Sequence, residues 1–157
     1  MKISLIFTGK TKLDWVSSGI REYSEKLKHY ISLQIRELHT GKITGKNIEK
    51  VTKQKEGELI LNSIKNEDFL ILLDERGKIY SSTEFADFLE KEAVQGIKSI
   101  VFVVGGAYGF DQSVYNRSNL LISISKMTFS HQIIRIIFME QLYRAFTIIR
   151  GESYHHG

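Results

Sequence analysis

The sequence contains no cysteine. That excludes a disulfide framework and any thiolate metal site, and it suits a reducing cytoplasm. Proline is absent too, so no cis-proline turn shapes a site. No run of 18 apolar residues is free of charge, so no transmembrane helix and no membrane partner are expected. The opening "MKISLIFTGK" lacks the length and cleavage pattern of a signal peptide. No G-x-G-x-x-G follows an early strand and no P-loop pattern occurs, which speaks against the common nucleotide-phosphate sites. What remains is ordinary globular material. The 157 residues are 42% hydrophobic and 25% charged, enough for one domain over residues 1–157. A net charge of +4 suits a polyanionic partner, and it suits an ordinary soluble enzyme equally well.

Hydrophobic periodicity orders the chain. Lys2–Thr8 reads as a strand ended by Gly9. Asp14–Tyr30 reads as a helix, because Val16, Ile20, Tyr23, Leu27 and Tyr30 recur at spacings of four and three. "ISLQIREL" alternates as a half-buried strand does. A glycine- and lysine-rich loop, "HTGKITGKN", precedes a polar helix, "IEKVTKQKEGELILNSIK". "DFLILLDERG" is a continuous apolar run ending in charge, as in a strand covered on both faces. Ser81 and Glu84 form a capping-box pattern before "FADFLEKEA", whose buried side carries Phe85, Phe88 and Leu89. "SIVFVVGG" is a second buried strand, "FDQSVYNRS" a short helix, "NLLISIS" a strand, and His131–Arg150 the last helix. Strict alternation of strand and helix predicts an α/β fold with a mostly parallel sheet and helices on both faces.

In such sheets, ligands bind beyond the carboxyl ends of the strands. Three ends stand out: "LLDERG" (Leu72–Gly77), "VVGGAYG" (Val103–Gly109) and "ISKMTFSHQ" (Ile124–Gln132). Gly105, Gly106 and Gly109 permit a sharp bend and close approach of backbone to a ligand, though glycine turns are also plain connections. Ser130 is placed to cap the last helix, with His131 in its first turn as a local hydrogen-bonder or a catalyst. Apolar residues occupy almost every direction around that helix, so it needs a second cover, such as a partner subunit. Arg135 and Arg144 on it face either a cleft or an internal ion-pair network. Glu140 and Arg144, at i and i+4, are one such pair. In the tail "GESYHHG", Tyr154, His155 and His156 are groups that stack on or hydrogen-bond a base. Two adjacent histidines specify no metal, and none is expected.

These pieces together resemble one family, the small SPOUT-class methyltransferases that methylate N3 of a pseudouridine in 23S ribosomal RNA. The resemblance runs along essentially the whole chain. It rests on "MKISLIFTGK", "KEGELIL", "LDERGK", "FVVGGAYG", "SISKMTFSHQIIRIIFMEQLYRAF" and "RGESYH". It implies a C-terminal trefoil knot, a homodimer in the cytoplasm, S-adenosylmethionine as cofactor, and 23S ribosomal RNA within the assembled ribosome as partner. It implies that Leu73, Gly105, Gly106, Ser125, Lys126, Met127, Thr128, Phe129 and Ser130 hold the cofactor. His131, Arg144, Tyr154 and His155 would act near the RNA and the transferred methyl group, with the tail of one subunit reaching the other's pocket. The chain departs from the family in having Ser130 and Ala107 where proline is common, and His156 where a fixed basic residue is common. The rival reading is a non-catalytic RNA-binding dimer on the same scaffold, with Lys42, Lys46, Lys50, Lys53 and Lys55 on phosphate.

Overall fold

The computed structural model describes residues 1–154. Its elements alternate as the periodicity predicts: β1 (Lys2–Thr8), α1 (Asp14–Leu27), β2 (Ser32–Leu38), α2 (Ile48–Ser63), β3 (Phe69–Ile79), α3 (Ser82–Val94), β4 (Ser99–Val104), α4 (Gln112–Arg117), β5 (Leu120–Ser123) and α5 (Ile133–Ile149). The first helix stops at Leu27 rather than Tyr30. Tyr30 instead donates its N–H to the Leu27 carbonyl, closing a tight turn. The last helix begins at Ile133, so His131 stands in the turn before it and not in its first turn.

The sheet is parallel at every pairing, in the order β2-β1-β4-β3-β5. Side chains alternate between two apolar faces. Ile3, Leu5 and Phe7 of β1, with Ile100, Phe102 and Val104 of β4, face the layer of α1, α3 and α5. Ile6, Leu70, Leu72, Val101 and Val103 face α2 and α4 through Ile60 and Val114. That double burial is why β3 and β4 read as unbroken apolar runs rather than alternating ones. Each such fully buried side chain is worth about 1.5–3 kcal/mol over exposure, before chain entropy is subtracted. The expected capping box starts α3. Ser81 Oγ accepts from the Glu84 N–H, and the Glu84 carboxylate accepts from the Ser81 N–H.

One irregularity positions the site. β5 pairs with β3 from Ile71 to Leu73 and again further on: Ile122 lies opposite Leu73 and then opposite Lys78. Between those contacts β3 bends around the end of β5. Gly77 makes the bend possible, because a Cβ there would sit 2.5 Å from backbone atoms of Leu121 and Ile122. The bend turns Asp74, Glu75 and Arg76 toward the carboxyl edge of the sheet, where they line a cavity.

Candidate active site

That cavity, of about 840 Å³, opens where β3, β4 and β5 end. It falls within the roughly 300–1,000 Å³ of small-molecule pockets. Leu73, Val104 and Ile122 supply its apolar wall, and the turns after β4 and β5 supply backbone polar groups. Leu73, Gly105, Gly106, Ser125, Met127, Thr128, Phe129, Ser130 and His131 all line it, so the fold gathers residues from three separate strand ends. Lys126 does not line it.

The turn after β5 is braced by its own hydroxyls. Ser123 Oγ donates to the Ser125 carbonyl at 2.8 Å, and Ser125 Oγ accepts from the Met127 N–H at 2.9 Å. Ser130 Oγ accepts from the Ile133 N–H at 3.2 Å, and its carbonyl accepts from Ile134. A serine there satisfies an early helix donor that a proline side chain cannot. Gln132 completes the frame. Its amide accepts from the Lys12 N–H at 2.7 Å and donates to the Lys10 carbonyl at 3.0 Å, tying the loop after β1 to the start of α5. In the other turn, neighbouring groups occupy the space that side chains on the glycines would need. A Cβ on Gly105 would meet the Phe110 ring at 3.0 Å, and one on Gly106 would meet the Glu56 carboxylate at 2.7 Å. Gly109, at φ +76°, adopts the left-handed backbone that glycine tolerates best.

Electrostatically the cavity is acidic, in a chain of net charge +4. Glu49, Asp74 and Glu75 line it against one guanidinium, Arg76. Burial alone would raise the Asp74 pKa, but hydrogen bonds from Arg76 and Tyr115 hold it below the usual range. His131 is shifted the other way. Burial lowers its pKa, and the charges of Arg135 and Lys12 lower it further, so the ring is neutral at neutral pH.

The two arginines of α5 have different fates. Arg135 is fully buried. Its guanidinium donates to the Thr8 carbonyl (2.8 Å), Thr11 Oγ1 (2.8 Å) and the His131 carbonyl (3.0 Å), and lies over the Phe7 ring. It is an internal strut, not a cleft residue. Arg144 is partly exposed and donates to Glu140, with its guanidinium 4.8 Å from the centre of the Tyr154 ring. Tyr154 reaches Glu140 with its hydroxyl at 3.4 Å and packs edge-on against Tyr143. Arg144 and Tyr154 do not line the cavity. Arg144 lies about 16 Å along α5 from its cavity end, at 1.5 Å per residue from Ile133, and Tyr154 packs beside it. His155 falls outside the described residues. Sequence reasoning left Asp74, Arg76, Tyr115, Gln132 and Glu56 out of the candidate site. Asp74 and Arg76 were signalled only by the charge in "LLDERG" at a strand end, and Gln132 only as the last residue of "ISKMTFSHQ".

A parallel α/β sheet with a cavity at its carboxyl edge, built from late glycine and serine turns, defines a class. A family model described as "Predicted SPOUT methyltransferase" matches residues 1–155. The chain belongs to the SPOUT methyltransferases, a family that in general uses S-adenosylmethionine. Membership implies the C-terminal trefoil knot. Close relatives are more specific. The chain is 47% identical over 156 residues to a protein of Christiangramia forsetii, covering 99% of both chains, named ribosomal RNA large subunit methyltransferase H. Proteins of the same name from Parabacteroides distasonis (48% over 156 residues) and Clostridium acetobutylicum (44% over 158 residues) also match over 99% of both chains.

Proposed function

We propose that this chain transfers the methyl group of S-adenosylmethionine to N3 of a pseudouridine in 23S ribosomal RNA, acting as a cytoplasmic homodimer on the assembled ribosome. The observation that carries this reading is the cavity at the ends of β3, β4 and β5, which collects eight of the nine residues expected to hold the cofactor. The residues fit such a ligand. Apolar walls suit an adenine, exposed backbone groups in two turns suit its polar edges, and an acidic lining suits a sulfonium. Leu73, the Gly105–Gly106 turn and the Ser125–Ser130 turn would hold it. When bound, S-adenosylmethionine would supply an electrophilic methyl group to an in-line nucleophile, with the neutral thioether as leaving group. The chain's own task is mainly alignment and charge.

N3–H of pseudouridine must lose its proton before N3 can attack. His155 or a water takes that proton, and Arg144 stabilises the resulting anion. Tyr154 supplies a ring for the base to pack on. Neutral His131, in the cavity wall, can orient a polar group without repelling a cationic ligand.

One subunit keeps these two groups of residues apart, which is the reason to invoke the second. The outward stripe of α5 carries Ile133, Ile137, Glu140, Arg144 and Ile148, all only partly buried. A two-fold contact with the α5 helices antiparallel covers this stripe. It also brings the Arg144 and Tyr154 end of one subunit to the cavity of the other. The test is transfer of labelled methyl groups to naked 23S RNA, isolated large subunits and whole ribosomes. Transfer to the ribosome with loss on a pseudouridine-free RNA is expected. Cofactor binding without transfer to any of the three would overturn the reading.

A further inference from the structure

Glu56 has no part in that scheme, yet it stands against the cofactor turn. It lies on α2, with both carboxylate oxygens 2.7–2.8 Å from where a Cβ on Gly106 would be. Its neighbour Gly57 is buried, and a Cβ there would lie 3.0 Å from Asp111, so α2 is pressed onto the loop before α4 and Glu56 is held in place. Among the described residues, no hydrogen bond or ion pair acts on its carboxylate. Burial is the one influence on its pKa and raises it. The nearby cations are committed elsewhere, Lys53 to Glu49 and Arg76 to Asp74. A half-buried carboxylate with no protein partner is only partly hydrated and so costs some stability. Such a cost is typical of functional sites rather than of scaffold.

Glu56 does not line the cavity itself; it stands directly behind Gly106, which does, and so adds a fourth negative charge close to Glu49, Asp74 and Glu75, an arrangement ill suited to RNA phosphate and well suited to a cation. The cofactor carries its positive charge on sulfur. Methyl transfer forms the N3–carbon bond, breaks the carbon–sulfur bond and leaves a neutral thioether, while the N3 proton departs to a base or water. We propose that Glu56 is a specificity-determining residue, whose charge makes the cavity hold the sulfonium cofactor in preference to its thioether product. The cavity thereby favours loading over retention of spent cofactor. This inference rests on the reading of the cavity as the S-adenosylmethionine site.

The experiment is calorimetric titration of the intact dimer with S-adenosylmethionine and with S-adenosylhomocysteine, at pH 8 and low salt. Wild type, Glu56→Gln and Glu56→Asp are compared, each with its melting temperature. In Glu56→Gln the affinity for the sulfonium should fall about five- to tenfold while that for the thioether stays the same. Glu56→Asp, which keeps the charge, should retain most of the preference. The melting temperature of Glu56→Gln should be unchanged or higher, since an unpartnered charge is removed. Equal loss of both ligands, no loss of either, or a lowered melting temperature in Glu56→Gln would overturn the inference while leaving the cavity reading intact. A wild-type protein that binds neither compound would overturn the cavity reading itself.

Discussion

Replacing Arg135 with methionine should lower stability by about 2–4 kcal/mol. The guanidinium makes three hydrogen bonds, at 2.8, 2.8 and 3.0 Å, to Thr8, Thr11 and His131. Hydrogen bonds to a charged group contribute about 1.5 kcal/mol or more each, so their sum is roughly 4–5 kcal/mol. Part is recovered, because a buried charge no longer has to be desolvated. Methionine also keeps a long apolar side chain over Phe7, so little packing is lost. Glu37, 3.8 Å from the guanidinium, has a side chain 34% exposed and remains hydrated when its partner is removed. That spares the larger penalty of a stranded buried charge. Arg135→Lys should recover little, since one ammonium cannot reach all three acceptors. Urea unfolding at a fixed protein concentration, with linear extrapolation, measures the loss. A loss under about 1 kcal/mol would refute the reasoning, because it would mean that water satisfies the three acceptors as well as Arg135 does.

Gly77→Ala should cost about 2–4 kcal/mol in the same assay, because the added carbon meets backbone, which cannot rotate away. A change within about 0.5 kcal/mol would show that the bend over β5 has slack. Burial alone would raise the Glu37 pKa, but bonds from Thr11 and the charge of Arg135 hold it below 4.5. Its stabilisation is therefore complete above about 4.5 and lost as the pH falls through the lower native value. Glu37→Gln should flatten the stability profile in that window, and an unaltered profile would count against it. Truncation after Ser153 should preserve melting temperature and cofactor affinity yet sharply lower methyl transfer. A heterodimer of a tail-less subunit with a Gly106→Val subunit should regain one working site, and an inactive heterodimer would argue against action across the interface.

The order and type of every element were legible, because glycine or charge lies close to the ends of most strands and apolar spacing marks helices such as α1 and α3. The two turns that line the cavity were legible too, through the resemblance and through their position at strand ends. Two things were hidden. Gly106 reads as a place where backbone meets ligand, but the space its side chain would fill holds Glu56, fifty residues away in sequence. No local pattern reports such a contact. The bend of β3 was also unreadable, since Gly77 looks like the end of a strand and only the tertiary passage of β5 beneath it shows why the strand continues to Ile79.

The polar groups on α5 raise the same issue in a form that geometry resolves. Arg135 and Arg144 are nine residues apart. At about 100° per residue, nine residues make two and a half turns, so the two point to opposite sides of the helix. Arg135 shares the inward side with Phe138, Met139 and Leu142, all fully buried, and only carbonyl and hydroxyl acceptors at the end of β1 make its position there tolerable. Arg144 shares the outward side with Glu140, one turn back, which keeps its guanidinium ionised and aimed along the surface. An arginine tied to three fixed acceptors is a strut and has no freedom to meet a substrate. An arginine held by one partly exposed carboxylate can exchange that partner for an anion on an incoming base. The helix thus carries its structural cation and the cation proposed for the chemistry on opposite faces, and the apolar residues beside Arg144 are the surface on which the proposed second subunit would bring a cavity to it.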